Sequence, residues 1–158
     1  NRQWNTCYLG RYVMIRDRLY IPRYTWHVQI FYAVTCYYTK EIIDALDNVL
    51  CPEEFLQKAY DNLNSCQVDT GLTYSNKRLN QSVMVIGLTS SPEEFLNSLE
   101  HEIRHLVDHI ADAYRLKSGS EDVAYLTGNI NLMIFPEIQM FLCGCPECHQ
   151  KINKKSIR

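Results

Sequence analysis

A chain of 158 residues, 46% hydrophobic and 22% charged, is long enough to bury one core without disulfides. Its formal net charge of −2 excludes the basic excess that recruits nucleic acid or an anionic membrane, and no apolar run reaches the roughly 20 residues that span a bilayer. The seven cysteines are odd in number and irregular in spacing, which predicts reduced thiols and a cytoplasmic setting. No secretory signal is visible, although Asn1 rather than Met opens the chain, as it would after removal of a leader.

The elements alternate between the two periods. Tyr12–Ile15 reads as a short strand, and Trp26–Val34, rich in aromatic and β-branched residues, as a buried one. Thr39 can cap a helix through about Leu50, with Ile42, Ile43 and Leu46 inward. Pro52-Glu53-Glu54 starts a second helix to about Leu63. Gly71–Ser75 and Ser82–Leu88 bracket a polar turn and predict a hairpin. Ser91-Pro92-Glu93-Glu94 then supplies an N-cap serine, a proline at the first helical position and a glutamate at N3, with a stop expected near Lys117-Ser118-Gly119. A last helix is expected from near Ser120 to about Met133, disturbed at Phe135-Pro136 and resuming over Glu137–Leu142. One domain over 1–142 and a Cys-rich, basic tail over 143–158 follow from this reading. The fold class is α+β, a small mixed or antiparallel sheet packed on helices.

The helix after Ser91 carries His101-Glu102-Ile103-Arg104-His105, an H-E-x-x-H motif. At about 100° per residue the two histidines fall some 40° apart and one turn along, so their rings can share one zinc ion. Glu102 is turned about 100° from His101, beside such a metal rather than on it, where it can act as general base. Phe95, Leu99, Ile103, Leu106, Val107 and Ile110 gather on an adjoining apolar stripe, while Asn97, Arg104 and Asp108 lie opposite. The metal edge therefore borders the buried face.

A catalytic zinc needs a third protein ligand. His109 stands about 12 Å of helix rise beyond His101 and cannot share the same ion while the helix is regular. The glycine that turns the chain after the second histidine in metzincins is missing, with Asp108 in the segment instead. His109 is thus a wall or supporting residue of the cleft, or an ordinary surface histidine. Asp108 or Asp112 could orient a ligand imidazole, or simply be solvated. Glu121 is the candidate ligand: it shares a helical face with Ala124, Tyr125 and Gly128, and the small residues would allow close approach to the His101 helix. Its competing role is capping its own helix in a box begun by Ser118. Tyr125 on the same face could stabilise a developing oxyanion, with Tyr74 and Tyr114 as weaker alternatives and packing the ordinary role of all three. His27, within a strand, reads as a satisfied core histidine.

His101-Glu102-x-x-His105 followed by Glu121-x-x-Ala124 resembles the gluzincin zinc metallopeptidases, over about Ser82 to Phe135. The resemblance implies a zincin-like fold, with an active-site helix followed by a ligand helix. It implies Zn²⁺ on His101, His105 and Glu121, and peptide-bond hydrolysis with Glu102 as base. It also implies an edge strand before the active helix to which a peptide or protein substrate pairs, a position held by Ser82–Leu88. No residue matches the family's usual oxyanion donor, and the large C-terminal domain of thermolysin-like members is missing, so the chain looks more like minimal bacterial or phage-encoded members. The competing class is a catalytically inactive zinc-binding module kept for interaction or regulation.

The tail carries a second constellation, Cys143-Gly144-Cys145-Pro146-Glu147-Cys148-His149. Three thiols and an imidazole could form a Cys3His zinc site, or remain unliganded on a mobile tail. The C-x-x-C-H haem-attachment pattern also fits, but requires an exported chain and a haem pocket. Lys151 to Arg158 reads as a solvated end.

Overall fold

The computed structural model describes residues 14–65 and 71–155. Among these, four strands and five helices alternate: β1 (Ile15–Ile21), β2 (Trp26–Val34), α1 (Thr39–Asn48), α2 (Glu53–Asn64), β3 (Gly71–Asn76), β4 (Gln81–Gly87), α3 (Pro92–Ala113), α4 (Glu121–Ile138) and α5 (Pro146–Lys155). The sheet has the order β1-β2-β4-β3; β1–β2 and β3–β4 pair antiparallel, and β2–β4 parallel. The sheet is therefore mixed, one of the two expected forms. It is covered on both faces, α3 and α4 on one and α1 and α2 on the other.

Strand periodicity allocates side chains to the two cores. Met84 and Ile86 of β4 face α3, whereas Val83 and Val85 face α1 and α2. On β2, Trp26, Val28, Ile30 and Tyr32 take the α3 side and Phe31 the other. Val34 should then follow Tyr32, yet it packs with Phe31. A register shift between Phe31 and Val34, with Ala33 at φ 58°, inserts the extra residue that reverses the parity.

Several boundaries differ from expectation for local reasons. β1 extends forward from Ile15 rather than ending there, because Ile15 through Ile21 all find partners on β2 from Tyr32 to Trp26; the earlier part of the expected strand falls outside the described residues. Thr39 does not cap α1: it is the first residue of that helix and its hydroxyl donates to the Cys36 carbonyl. The Ser91 cap of α3 is present, its Oγ accepting from the Glu94 N–H at 3.2 Å, and Glu94 reaches back to the Ser90 N–H and hydroxyl. The helix stops before the expected Gly119, at Tyr114, with Arg115 left-handed at φ 54° and the Leu116 N–H closing on Ala111. α4 runs through Pro136 without a break. Of the end expected to be solvated, Lys151 to Lys155 belong to helix α5, and residues 156–158 lie outside the described residues.

His27 is exposed, its ring tilted 33° against that of Tyr20 with centroids 4.6 Å apart, contrary to the core position expected of it. β2 alternates at that point, and the Tyr20↔His27 pair lies on the face away from α3, where His27 is exposed. Cys36 is disulfide-bonded, so the reading of every cysteine as reduced does not hold. No helix among the described residues is long and apolar enough to cross a membrane.

Candidate functional site: the histidine pair on α3

All six residues of the apolar stripe on α3, from Phe95 to Ile110, are buried against the sheet and α4. That burial fixes the rotation of the helix and leaves Asn97, Arg104 and Asp108 in solvent. His101 and His105 come out along the border, exposed, with their Nε2 atoms 3.2 Å apart. Two nitrogens bound about 2.0–2.1 Å from one tetrahedral zinc stand about 3.3 Å from each other. The pair therefore already has the separation that a shared ion requires.

Glu102 behaves differently from its neighbours. It is 2% exposed, a buried carboxylate on an otherwise amphipathic helix. Its Oε2 accepts a 2.7 Å hydrogen bond from the Thr73 hydroxyl, and its Oε1 lies 4.0 Å from His101 Nε2. One carboxylate oxygen is tethered while the other is aimed at the pair. Gly71 makes this approach possible. A Cβ there would lie 1.8 Å from the Val85 carbonyl oxygen and 3.3 Å from Glu102 Cγ, and the residue sits at φ 154°.

Thr73 and Ser75 lie on the same face of β3, toward α3, while Leu72 and Tyr74 pack with the α1–α2 layer. Ser75 extends a polar chain: the Trp26 indole donates to Ser82 Oγ at 2.8 Å, Ser82 meets Ser75 at 2.7 Å, and Ser75 meets His109 Nδ1 at 2.8 Å. His109 is half-buried, and its ring centroid is 6.4 Å from that of His105. Its burial, then the neighbouring His105 and Lys77, push its pKa below the ordinary value.

Other candidates are placed elsewhere. Asp108 bonds to Arg104 at 3.1 Å and Asp112 pairs with Lys77; both carboxylates are engaged with cations rather than with the imidazoles. Tyr125 is 62% exposed on α4. Tyr74 packs on Phe55, on the far side of the sheet from α3, and Tyr114 packs on Tyr24 and donates to the Tyr24 carbonyl. Glu121 opens α4 after the Ser120 N-cap, and its side chain is exposed. The face it shares with Ala124, Tyr125 and Gly128 also points outward, and nothing lies within 4 Å of a Cβ built on Gly128. α4 packs instead through Val123, Leu126, Ile130 and Ile134, because these are the residues with a continuous apolar face. The expected close approach through small residues is therefore not how the helices meet. Among the described residues, no third His, Cys, Asp or Glu donor forms with the pair a set lying within 4.8 Å of one another.

The expected edge strand is also corrected. β4, over Gln81–Gly87, is interior between β2 and β3; β3 is the edge strand next to α3. The sequence reading overlooked Thr73, Ser75 and Gly71. Their signal was the alternation of small polar residues within a predicted strand, which identifies a face but not what covers it.

Cys143, Cys145 and Cys148 form a separate cluster, free of disulfides, with sulfur atoms all within 4.8 Å of one another. Such a set can hold a metal ion. The Cys145 N–H donates to Cys143 Sγ at 3.4 Å. Hydrogen bonds from Cys143, then from the backbone and thiol of Cys148 and the Glu147 backbone, lower the Cys145 pKa; the thiol bonds to Cys145 and Cys143 raise that of Cys148 to about 11. The His149 side chain falls outside the described set. Compared with known proteins, the chain matches no family model, no curated protein and no solved structure, so its site stands on its own residues.

Proposed function

We propose that the chain is a zincin-like, zinc-dependent metallopeptidase, a reading carried by one observation: two exposed imidazole nitrogens 3.2 Å apart beside a buried glutamate. His101 and His105 would hold the ion. Glu121, nominated by the gluzincin resemblance as the third ligand, would have to turn inward from the start of α4 to join them. Zinc at such a pair supplies Lewis acidity, polarising the scissile carbonyl and acidifying the attacking water.

The chain's own groups divide the remaining work. Thr73 ties down Glu102 Oε2, so Oε1 is the oxygen free to accept the water proton and return it to the leaving amine. Burial of Glu102 restricts its rotamers, so the base is positioned before substrate arrives. β3 offers an outer edge beside α3, along which an extended peptide or protein substrate can pair through backbone hydrogen bonds.

The test is zinc-loaded full chain incubated with a quenched fluorescent peptide library, beside Glu102→Gln. Cleavage by the first and none by the second, at equal zinc content, is the expected result; equal turnover removes Glu102 from the mechanism. Glu121→Ala should lower zinc affinity, and unaltered metal content would transfer the third position to another donor. The exposure of Glu121 favours one alternative, a zinc-binding interaction or regulatory module without turnover. Absorption spectroscopy of a metal closed by four protein ligands would favour that module over the peptidase.

A further inference from the structure

We propose that Cys143, Cys145 and Cys148 form a second, thiolate-rich structural zinc site that ties the segment before α5 to the first turn of that helix, independently of the histidine pair. The three sulfurs lie within 4.8 Å of one another, and sulfurs bound about 2.3 Å from one tetrahedral zinc stand about 3.8 Å apart, so small side-chain rotations close the set. Thiolates select soft or borderline ions, and zinc is the one that needs no redox partner. A fourth donor from outside the trio completes the tetrahedron.

Two further observations favour an ion there. Residues 143–145 lead directly into the first turn of α5, and a backbone N–H there already points at a sulfur, Cys145 N–H to Cys143 Sγ at 3.4 Å. Such a bond lowers the cost of holding negative sulfur near solvent. The second observation is α5 itself, ten residues of largely polar sequence; among its described side chains Ile152 packs on the core. Isolated helices of that length are marginal in water, so an additional fastening is required.

The location defines the role. Just before the cysteines, Phe141 stacks on Phe95 of α3 with centroids 4.6 Å apart at 16°, and a Cβ built on Gly144 would lie 3.9 Å from Pro92 Cγ at the start of that helix. The cluster therefore sits at the capped end of α3, about nine residues and roughly 13 Å of helix rise before His101. An ion there would hold the start of α5 in the position where Phe141 packs on α3, without touching the histidine pair.

The experiment uses the full chain, reduced and loaded with cobalt in place of zinc. A His101→Ala/His105→Ala chain should keep a thiolate-to-cobalt charge-transfer band, and a Cys143→Ser/Cys145→Ser/Cys148→Ser chain should lose it. Zinc content should fall from two ions per chain to one in either variant. Should the triple variant not fold, alkylation of the unaltered chain gives the answer by mass spectrometry: zinc should protect the three cysteines, and a chelator should expose them. Equal alkylation with and without zinc, no band in the histidine variant, or a band persisting in the triple variant would each overturn the proposal. Because the band is read without the histidines, its presence or loss is separate from the fate of the peptidase reading.

Discussion

The two candidate metal sites, the histidine pair on α3 and the cysteine cluster near its start, are built in opposite ways. At the middle of the helix, His101 and His105 are brought together by the backbone alone, one turn apart on a helix whose six apolar residues are buried. At its capped end, the cysteines belong to a short turn and a polar helix with little core of their own. The histidine pair is held in place by hydrophobic burial of its helix, though no third donor joins it among the described residues; the cysteine set, if it holds the proposed ion, would be completed by that ion. Cys51 marks the contrast from another side. It is a single buried thiol, its pKa pushed up to about 11 by burial and then by Asp47, and it acts as a small core residue.

The comparison is broken most forcefully at Glu102. Glu102→Gln should cut peptide turnover by about 10²–10⁴-fold while leaving both metal equivalents in place. Metal analysis beside the peptide assay checks this, and a parallel loss of zinc would mean that the glutamate organises the pair rather than moving protons.

Gly71→Ala comes next. A Cβ at that position meets the Val85 carbonyl at 1.8 Å, so β3 must shift away from β4 or from Glu102. A destabilisation of about 2–4 kcal/mol is expected by urea unfolding. The cysteine cluster, far along α3, should keep its metal.

Thr73→Val is smaller and more specific. It keeps the shape of the side chain but removes the only hydrogen bond recorded to Glu102 Oε2 among the described residues. The loss should cost about 1–3 kcal/mol, seen as roughly a tenfold fall in kcat with KM little changed. Serine at the same position should restore most of it, which a purely packing role would not predict.

The smallest effect concerns pH. His109 has a pKa below its ordinary 6.5, first because it is buried, so the folded state binds its proton less readily than the unfolded chain does. Its contribution to stability is present above the unfolded value and is lost as pH falls through the folded one. His109→Asn should therefore flatten the decline in melting temperature of metal-free protein between about pH 7 and pH 5. An unchanged slope would assign that decline to other groups.

Much of the fold was legible because it follows from periodicity and punctuation. Trp26–Val34 is a strand at both boundaries, and the Ser91-Pro92 start of α3 is where the capping pattern put it. Its buried stripe was equally readable, since 3.6-residue periodicity needs no knowledge of the partner. The mistakes came where a partner decides. His27 falls on the exposed side of β2 at its start, beside Tyr20, and α4 turns Val123 and Leu126 inward rather than Ala124 and Gly128. Small residues permit close contact, but buried apolar area drives it.

The candidate site divides along the same line. Sequence by itself determined the histidine pair and the flanking glutamate, because helix geometry places i and i+4 together wherever the helix forms. It also determined that three cysteines within six residues must lie near one another. Only the tertiary structure decided that Thr73 anchors Glu102, that Gly71 makes room for it and that Ser75 holds His109. Those contacts join residues about thirty positions apart. They exist because β3 lies at the sheet edge beneath α3, an arrangement set by strand order and buried area rather than by any local pattern.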